Sequence, residues 1–418
     1  MTGVAMTKAQ VHFTLLNIGH FLDHLVMLVF ATVAALVLVG EWHMTYGDLI
    51  AYATPGFVAF GLFSLPSGWL ADRWSREGMM SVFFLGIGFA SIACAFADSP
   101  IEMAAGLFAV GVFAAIYHPV GLTLVVDGAR RTGMALAANG VWGNLGVGAA
   151  ALITGHFIDQ GGWRLAFLAP GVVSLAAGIV YTWLMWDEIG ARNGHKKAAA
   201  NSKPARGEAA GSALSLADRQ VYLRVTVIIL CTTAISALIF QSTTFALPKI
   251  FEERLTGIAG SASLIGWATF IVAVIASLAQ LVVGHFLDSL GPRVMFLSAA
   301  GLQVVCYALM PGLTDWAALL VALAFMIGAF GQLPINDYMI GRMARPESRA
   351  SIYGARFVLT FTVLAMALPL IAWIHTNWGF DALFRILAGS ATAVFLVASF
   401  LPGRLPEPAP SPAEPAEA

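Results

Sequence analysis

The stretch "GWLADRWSR", residues 68–76, has a counterpart in "GHFLDSLGPR", residues 284–293. Two further pairs repeat at nearly the same distance: "RRTGMA" at 130–135 with "SRASIYG" at 348–354, and "GWRLAF" at 162–167 with "GFDALF" at 379–384. All three offsets are about 216–218 residues, and a fixed offset is the signature of an internal repeat. The sequence therefore predicts two copies of one structural unit in parallel orientation, facing each other across a cleft.

The composition is that of a chain that crosses a membrane many times. Of the 418 residues, 59% are hydrophobic and only 11% are charged, whereas a soluble domain has about 25% charged residues. The net charge of -1 offers no basic stripe for nucleic acid. All three cysteines fall inside apolar runs, which argues against a disulfide framework.

Apolar runs long enough to span a bilayer, roughly 20 residues each, occur six times on either side of a polar segment. They are predicted at about 13–39, 46–70, 79–98, 101–126, 133–156 and 164–186, and again at about 221–247, 261–287, 294–313, 316–340, 350–374 and 380–401. The predicted fold is an all-α membrane protein with twelve transmembrane helices in two pseudo-symmetric six-helix bundles. The predicted divisions are an N-terminal bundle at 1–186, a flexible linker at 187–219, a C-terminal bundle at 220–402 and a disordered tail at 403–418.

Basic residues set the predicted orientation. Of the 22 Lys and Arg residues, 18 fall on the side of the linker and four on the other side, and cytoplasmic loops carry the excess of such residues. We therefore expect both termini and the linker in the cytoplasm, and the chain in the inner membrane.

The motif at residues 68–76 contains residue types that could form a gate. Gly68 would let a neighbouring helix approach closely, and Asp72 at a helix boundary can meet a helix N-terminus or pair with a nearby arginine. The alternative is a short loop with ordinary cytoplasmic arginines, and the second copy favours the gate. The predicted cytoplasmic gate comprises Gly68, Asp72, Arg73, Arg76, Gly284, Asp288, Gly291 and Arg293.

The motif resembles the signature G-x-x-x-D-R-x-G-R of the major facilitator superfamily, with Ser75 where that pattern prefers Gly. The resemblance implies the major facilitator fold and secondary transport. Three more stretches, "GHFLDH" at 19–24, "AAIYHPVG" at 114–121 and "VWGNLGVGAA" at 141–150, resemble the fosmidomycin-resistance branch of drug-efflux facilitators. That narrower resemblance implies export of a small toxic compound.

The first predicted helix carries Asn17, His20, Asp23 and His24 within little more than two turns. An ionisable residue in a spanning helix costs roughly 2.5–3.5 kcal/mol at mid-depth, so it indicates function. Asn17, His20 and His24 share one helix face, and imidazoles titrate near neutral pH. Proton coupling is one interpretation, and a structural network between the first and fourth helices is another. Metal ligation also suits His at i and i+4, but the sequence places no further ligand set, so no metal site is predicted.

Other polar residues are weaker candidates. His118-Pro119 should break the fourth helix, either to line a cavity or only for packing. Asp337 either pairs with Arg356 or lies at the membrane interface. The predicted proton-coupling or substrate residues are Asn17, His20, Asp23, His24, His118, Asn144, Gln241, Asn336, Asp337 and Arg356.

The sequence thus predicts a proton-coupled secondary transporter of a small molecule that works by alternating access. The expected direction is efflux, and this expectation rests on the branch resemblance alone. The alternatives are a proton-coupled importer of a nutrient or metal complex, and a non-transporting membrane sensor. No nucleotide loop, metal-protease helix or nucleophile triad is found, so we expect no enzyme and no cofactor. The expected partners are a small-molecule substrate, protons and the lipid bilayer, and the expected state is a monomer.

Overall fold

The computed structural model describes residues 6–128, 132–190, 216–343 and 346–402, and the ordered structure within them is helical. Most of the predicted linker and the whole predicted tail lie outside these described residues. The first half contains α1 (Lys8–Glu41), α2 (Tyr46–Arg73), α3 (Arg76–Ala95), α4 (Pro100–Asp127), α5 (Thr132–Gly161) and α6 (Trp163–Leu184). Helical turns of the π type interrupt α1 at Ala34–Leu38 and α4 at Tyr117–Gly121.

The second half begins with α7 (Leu216–Arg254) and contains two long helices that bend sharply. The helix Ala262–Leu309 bends at Gly291 into α8 (262–290) and α9 (292–309). After α10 (Asp315–Met343), the helix Pro346–Ser399 bends at Gly379 into α11 (346–378) and α12 (380–399).

The number of membrane-spanning helices agrees with the sequence. Eleven helical segments of the described residues are long and apolar enough to cross a membrane, and the last of them, Val358–Ser399, contains the bend at Gly379. Counting its two arms separately gives the twelve predicted spans. Gly291 and Gly379 take φ values of 79° and 69°, a conformation that glycine adopts without strain. At each of these places the chain changes direction at a single glycine, where the sequence predicted a loop.

An ion pair marks the end of the bundle at which the first half both begins and finishes. At one end, Lys8 at the start of α1 pairs with Glu188, just beyond α6, at 2.7 Å. The hydrogen bond from Lys8 holds the pKa of the Glu188 carboxyl below its usual range. We name this end, where the first half runs into the linker, the linker end, and the opposite end the far end.

The two halves pack closely at the far end. A Cβ on Gly155 of α5 would lie 2.3 Å from the carbonyl oxygen of Ala262, and one on Gly266 of α8 would lie 2.6 Å from that of Ala151. Only a residue without a side chain permits such close approach of two helix backbones. The backbone N–H of Ser263 also donates to Asp159 Oδ2 at 2.8 Å, which joins the first turn of α8 to α5.

Toward the linker end the same helices have free space beside them. Within the described part of the chain, a Cβ on Gly140 of α5 or on Gly284 of α8 would meet no heavy atom within 4 Å. Trp142 of α5 and Leu281 of α8 are exposed large side chains. Among the described residues, the close contacts between α5 and α8 therefore lie at the far end, and they are absent at these two linker-end glycines.

Candidate functional site

The candidate site lies inside the first half, where α1, α4 and α5 meet. The π turn at Tyr117–Gly121 widens α4 around Pro119, which cannot donate a backbone hydrogen bond. Tyr117 and His118, at the start of this turn, both contact residues of α1. The predicted break of the fourth helix is thus present, and π turns inside α-helices are frequent at functional sites.

His20 is fixed by contacts on several sides. Its Nδ1 lies 2.8 Å from the backbone oxygen of Asn139 on α5, and its ring stacks on that of Tyr117 at 4.7 Å between centroids. A Cβ on Gly143 would lie 2.6 Å from the imidazole, so only glycine leaves room for it. Because a carbonyl oxygen can only accept, Nδ1 carries the hydrogen and Nε2 of a neutral ring presents a lone pair.

Two more imidazoles surround that nitrogen. His24 Nε2 lies 3.2 Å from His20 Nε2, and the ring of His118 meets both rings edge-on with centroids 5.5 and 5.6 Å away. The ligand nitrogens of the three residues all lie within 4.8 Å of one another. The sequence showed the spacing of His20 and His24 but placed no third ligand beside them. In the fold, α4 brings His118 next to this pair.

Asp23 is the buried acid of the cluster. Its side chain is 1% exposed, and neither carboxylate oxygen has a hydrogen-bond partner among the described residues. His118 Nε2 lies 3.6 Å from Asp23 Oδ2, and the His118 side chain is 17% exposed. The titratable groups near this carboxyl are the imidazoles of His20, His24 and His118 and the phenol of Tyr117. Asp23 thus faces the bundle interior and not the lipid.

Beside this cluster, Asn17 belongs to a network whose hydrogen bonds are made. The Asn139 amide nitrogen donates to Asn17 Oδ1 at 2.9 Å and to the Tyr117 hydroxyl at 2.8 Å, and that hydroxyl donates to the Leu16 carbonyl at 2.9 Å. This part fits the structural interpretation, a network that orders α1 against its neighbours. Asn139 was not among the predicted site residues, although an asparagine in an apolar helix is a signal. Asn144, which was predicted, is half-buried on α5.

The region of the second half that corresponds to this cluster lies where α7, α9 and α10 meet. The hydrogen bonds described there join uncharged polar side chains. Gln241 of α7 is buried, and its amide nitrogen lacks a partner among the described residues. Asn336 of α10 accepts a hydrogen bond from Thr232 at 3.2 Å. Nearby, Ser236 donates to Gln332 at 2.7 Å and Gln332 donates to Gln303 at 2.6 Å. Sequence reasoning missed this serine and these two glutamines because they are single polar residues in long apolar runs.

Charged residues at the linker end form pairs within each half. Arg76 Nη2 lies 2.9 Å from Asp72 and Nη1 lies 2.7 Å from Asp127 at the end of α4. In the second half Arg356 of α11 pairs with Asp337 of α10, which decides between the two arrangements that the sequence left open. Each of these ion pairs joins residues of one bundle and does not connect the two halves.

The remaining predicted gate residues differ in their surroundings. Arg73 stacks on Trp69 at 3.9 Å, and a Cβ on Gly68 would lie 3.3 Å from Pro119. Among the described residues, none would lie within 4 Å of a Cβ on Gly284. Arg293 is exposed, and the side chain of Asp288 lies outside the described part of the structure.

Chemically, the cluster can take up a positive charge. An ionised carboxylate that is buried without a partner is costly, and a proton or a metal ion beside Asp23 would offset that cost. Imidazoles at 3.2 Å can also pass a proton between them. Arg76, at the linker end of the first half, forms ion pairs with the carboxylates of Asp72 and Asp127.

Two helical bundles that repeat one structural unit are the architecture of many secondary membrane transporters. The chain belongs to the Major Facilitator Superfamily, whose profile matches residues 16–260 and 229–418. It is therefore a multi-pass membrane protein and a transporter of small molecules, not an enzyme. The non-transporting sensor finds no support in this assignment.

Two curated relatives carry a substrate in their names. The chain is 30% identical to the niacin transporter NiaP of Acinetobacter baylyi over 175 residues, which are 40% of this chain and 39% of that protein. It is 23% identical to the gallate transporter of Pseudomonas putida over 304 residues, 68% of this chain and 67% of the relative. The first of these matches thus spans well under half of either protein.

Solved structures share the fold. A peptide transporter of the POT type in complex with sulfate matches with a TM-score of 0.72 and 15% identity, over 94% of this chain and 97% of that chain. A bacterial homologue of the human lysosomal transporter Spinster, in an inward-facing and occupied conformation, matches with a TM-score of 0.68 and 15% identity over 95% of both chains. At this identity the likeness concerns the fold alone.

Proposed function

We propose that the chain is a proton-coupled secondary active transporter and that Asp23 and His118 carry the coupled proton. The observation that carries this proposal is the burial of Asp23 without a hydrogen-bond partner, 3.6 Å from an imidazole that is itself partly exposed. A carboxyl in such a place is stable with a proton and costly without one. His118, as the more exposed member, exchanges protons with water, and Asp23 holds them.

Movement of the halves gives this site access to each side in turn. His118 lies beside Phe60 of α2 and Phe361 of α11, with ring centroids 5.7 and 6.1 Å away, and these two phenylalanines contact each other across the halves at 4.7 Å. When the bundles rock about this contact, the surroundings of His118 change. Proton binding is thereby linked to alternating access, with 1–186 and 220–402 as the two moving units of a monomer.

The linker end is the cytoplasmic end in this proposal, because the excess of Lys and Arg lies there. Both termini then face the cytoplasm, and we assign the described conformation, with α5 and α8 in contact at the far end, to the inward-facing state. The Asp72–Arg76–Asp127 cluster belongs to the first half and the Asp337–Arg356 pair to the second half. We assign them to a cytoplasmic gate that closes when the far end opens.

Efflux is the proposed direction, and it rests on the resemblance of residues 19–24, 114–121 and 141–150 to the fosmidomycin-resistance branch. Proton-coupled uptake of a nutrient is the second candidate, because the relatives are named for niacin and gallate. Both named compounds are small aromatic acids. The two candidates use the same proton site and differ in whether proton and substrate move in opposite directions or together.

Transport in liposomes with an imposed pH gradient tests the proposal. Purified chain is screened against a panel of cationic antimicrobial compounds and small aromatic acids, each tested with the gradient in both directions. Asp23→Asn is expected to abolish gradient-driven movement, because an amide cannot take up and release the proton, while exchange of substrate without a gradient persists. The matched control is Asp98→Asn, which changes an exposed far-end carboxylate paired with Arg164, and it should transport normally.

Two results would count against this assignment. Gradient-driven transport at wild-type rates in Asp23→Asn would remove Asp23 from the coupling step. Loss of folded protein in that variant, with Asp98→Asn folded, would assign Asp23 to the structural network instead. Size-exclusion profiles and thermal unfolding of both variants separate these outcomes.

A further inference from the structure

The polar cluster contains more imidazoles than the proposed proton step requires. We propose that His20, His24 and His118 form a binding site for one divalent transition-metal ion, with Asp23 as the neighbouring carboxylate. The ligand class is an ion such as Zn²⁺, Ni²⁺ or Co²⁺, because imidazole suits these ions whereas Mg²⁺ and Ca²⁺ prefer oxygen ligands. The inference goes beyond proton coupling, since it concerns binding and holds whether or not a proton gradient drives transport.

The distances suit an ion between the rings. Zinc–nitrogen bonds of about 2.1 Å put tetrahedral ligand atoms about 3.4 Å apart, and His20 Nε2 and His24 Nε2 are 3.2 Å apart. The wider separations, up to 4.8 Å, involve His118 from another helix. A small rotation of its ring within the widened turn of α4 closes the set.

The tautomer of His20 is the one that a metal ligand needs. Metal-binding histidines almost always donate their other N–H to a carbonyl or carboxylate, which fixes the ring and directs the free nitrogen at the ion. The Asn139 carbonyl has this role for His20, at 2.8 Å from Nδ1. The Tyr117 ring stacked on one side and Gly143 on the other prevent the imidazole from turning away.

Asp23 is an independent indication of a cation. A buried carboxylate almost always has hydrogen bonds or a counter-charge, yet both oxygens of Asp23 lack partners among the described residues. An ion between the three imidazoles would lie next to this carboxylate, because His118 Nε2 is 3.6 Å from Asp23 Oδ2. The site would then have three neutral nitrogen ligands and one negative charge, a donor set typical of Zn²⁺-class ions.

Cobalt titration tests the proposal directly. The full-length chain, purified in detergent without a polyhistidine tag, is titrated with Co²⁺ alone, and the visible d–d absorption reports coordination. We expect one Co²⁺ per chain, an intense spectrum typical of low coordination number, and displacement by Zn²⁺. Metal analysis after equilibrium dialysis gives the stoichiometry. Absence of a stoichiometric ion from a monodisperse wild-type sample would overturn the proposal.

Variants show whether the ion occupies the cluster. His24→Ala and His118→Ala should each weaken Co²⁺ binding at least about tenfold, and Asp23→Asn should weaken it as well. The control is His156→Ala, which removes an exposed imidazole of α5 outside the cluster and should leave the affinity unchanged. Where an alanine variant does not fold, His24→Gln or His118→Gln removes the nitrogen while keeping a polar side chain. Wild-type affinity in the folded His24 and His118 variants would sink the proposal.

Discussion

At the scale of single residues, Asp23 and Asn17 show how different two polar side chains on one helix can be. Asn17 accepts a hydrogen bond from Asn139 at 2.9 Å, so its burial is compensated. Asp23, six residues further on, is equally buried but has no such bond among the described residues. A carboxylate without a partner is available to bind a cation, and this difference separates the part of the cluster that we propose to be functional from the hydrogen-bonded network.

Gly143 offers a prediction at this scale. In Gly143→Ala the new Cβ would lie 2.6 Å from the His20 ring, so the imidazole must move away from Asn139 and His24. We expect a loss of stability of about 1–3 kcal/mol, as for other overpacked sites, and slower gradient-driven transport. Thermal unfolding and proteoliposome transport measure the two effects.

A matched control for this change lies three residues earlier on the same helix. A Cβ on Gly140 would meet no heavy atom of the described residues within 4 Å, and alanine has the higher helix propensity by about 1 kcal/mol. Gly140→Ala should therefore keep or raise stability and leave transport intact. Equal behaviour of the two variants would contradict the argument that Gly143 makes room for His20.

At the scale of helices, the two copies of the opening motif end their turns differently. In the first copy Ser75 has an extended backbone, with φ of -158°, and its hydroxyl accepts from the Gly78 N–H at 3.1 Å as the N-cap of α3. In the second copy Gly291 has φ of 79° and bends one long helix into two. A serine cap suffices where the chain is extended, and glycine is required where φ is positive.

Gly291→Ala is the prediction that belongs to this scale. Gly291 combines a positive φ with a ψ of 160°, a region essentially limited to glycine, where another residue costs about 1–3 kcal/mol, so the variant should unfold at a lower temperature. Gly301→Ala is the control, because this helical glycine of α9 has ordinary van der Waals contacts, 3.6 Å to Phe395. A thermal unfolding series in one detergent compares them. Unfolding of both variants at the wild-type temperature would mean that the bend tolerates a side chain.

At the scale of the whole molecule, contacts between the two halves hold α5 and α8 together at the far end. Glycines bring α5 and α8 into backbone contact at the far end, and Asp159 adds a hydrogen bond to the first turn of α8. A carboxylate is stabilised there by the partial positive charge of the helix N-terminus. In the proposed alternating-access cycle these contacts must break before the far end opens, so they would contribute to the balance between the two proposed states.

Asp159→Asn should therefore shift the population toward the state that is open at the far end. Loss of the charge weakens the contact with α8 by about 1 kcal/mol, which is roughly a fivefold change in the ratio of the two states. Spin labels on His43→Cys and Asn377→Cys, at the far ends of the two halves in an otherwise cysteine-free chain, report the distance distribution. We expect a larger long-distance fraction in the variant.

The control for this measurement is Asp315→Asn. Asp315 also accepts a backbone N–H, from Gly257 at 2.8 Å, but within the second half, so its change should leave the distance distribution as in the wild type. A distribution that does not respond to Asp159→Asn would show that this bond does not contribute to the balance. An equal response to both changes would indicate a general effect of far-end charge.

Much of the fold was predictable because the bilayer permits few solutions. Spanning segments must satisfy their own backbone hydrogen bonds, so long apolar runs are helices, and the offset of about 216–218 residues between the motif copies at 68–76 and 284–293 predicts their duplication. Less predictable were the bends at Gly291 and Gly379, where loops were expected. The backbone angle that lets one glycine replace a loop leaves no trace in hydropathy.

The sequence by itself determined the twelve-helix architecture, the face that Asn17, His20 and His24 share, and the break at His118-Pro119, because all of these follow from local spacing and residue type. Tertiary structure alone decided which helices meet at that face. It brought His118 to the pair on α1, and it chose Asn139, 119 residues from His20, as the partner that orients the ring. Helical periodicity specifies the direction of a side chain relative to its own helix, whereas its neighbours depend on how separate helices pack, and that packing is a property of the whole bundle.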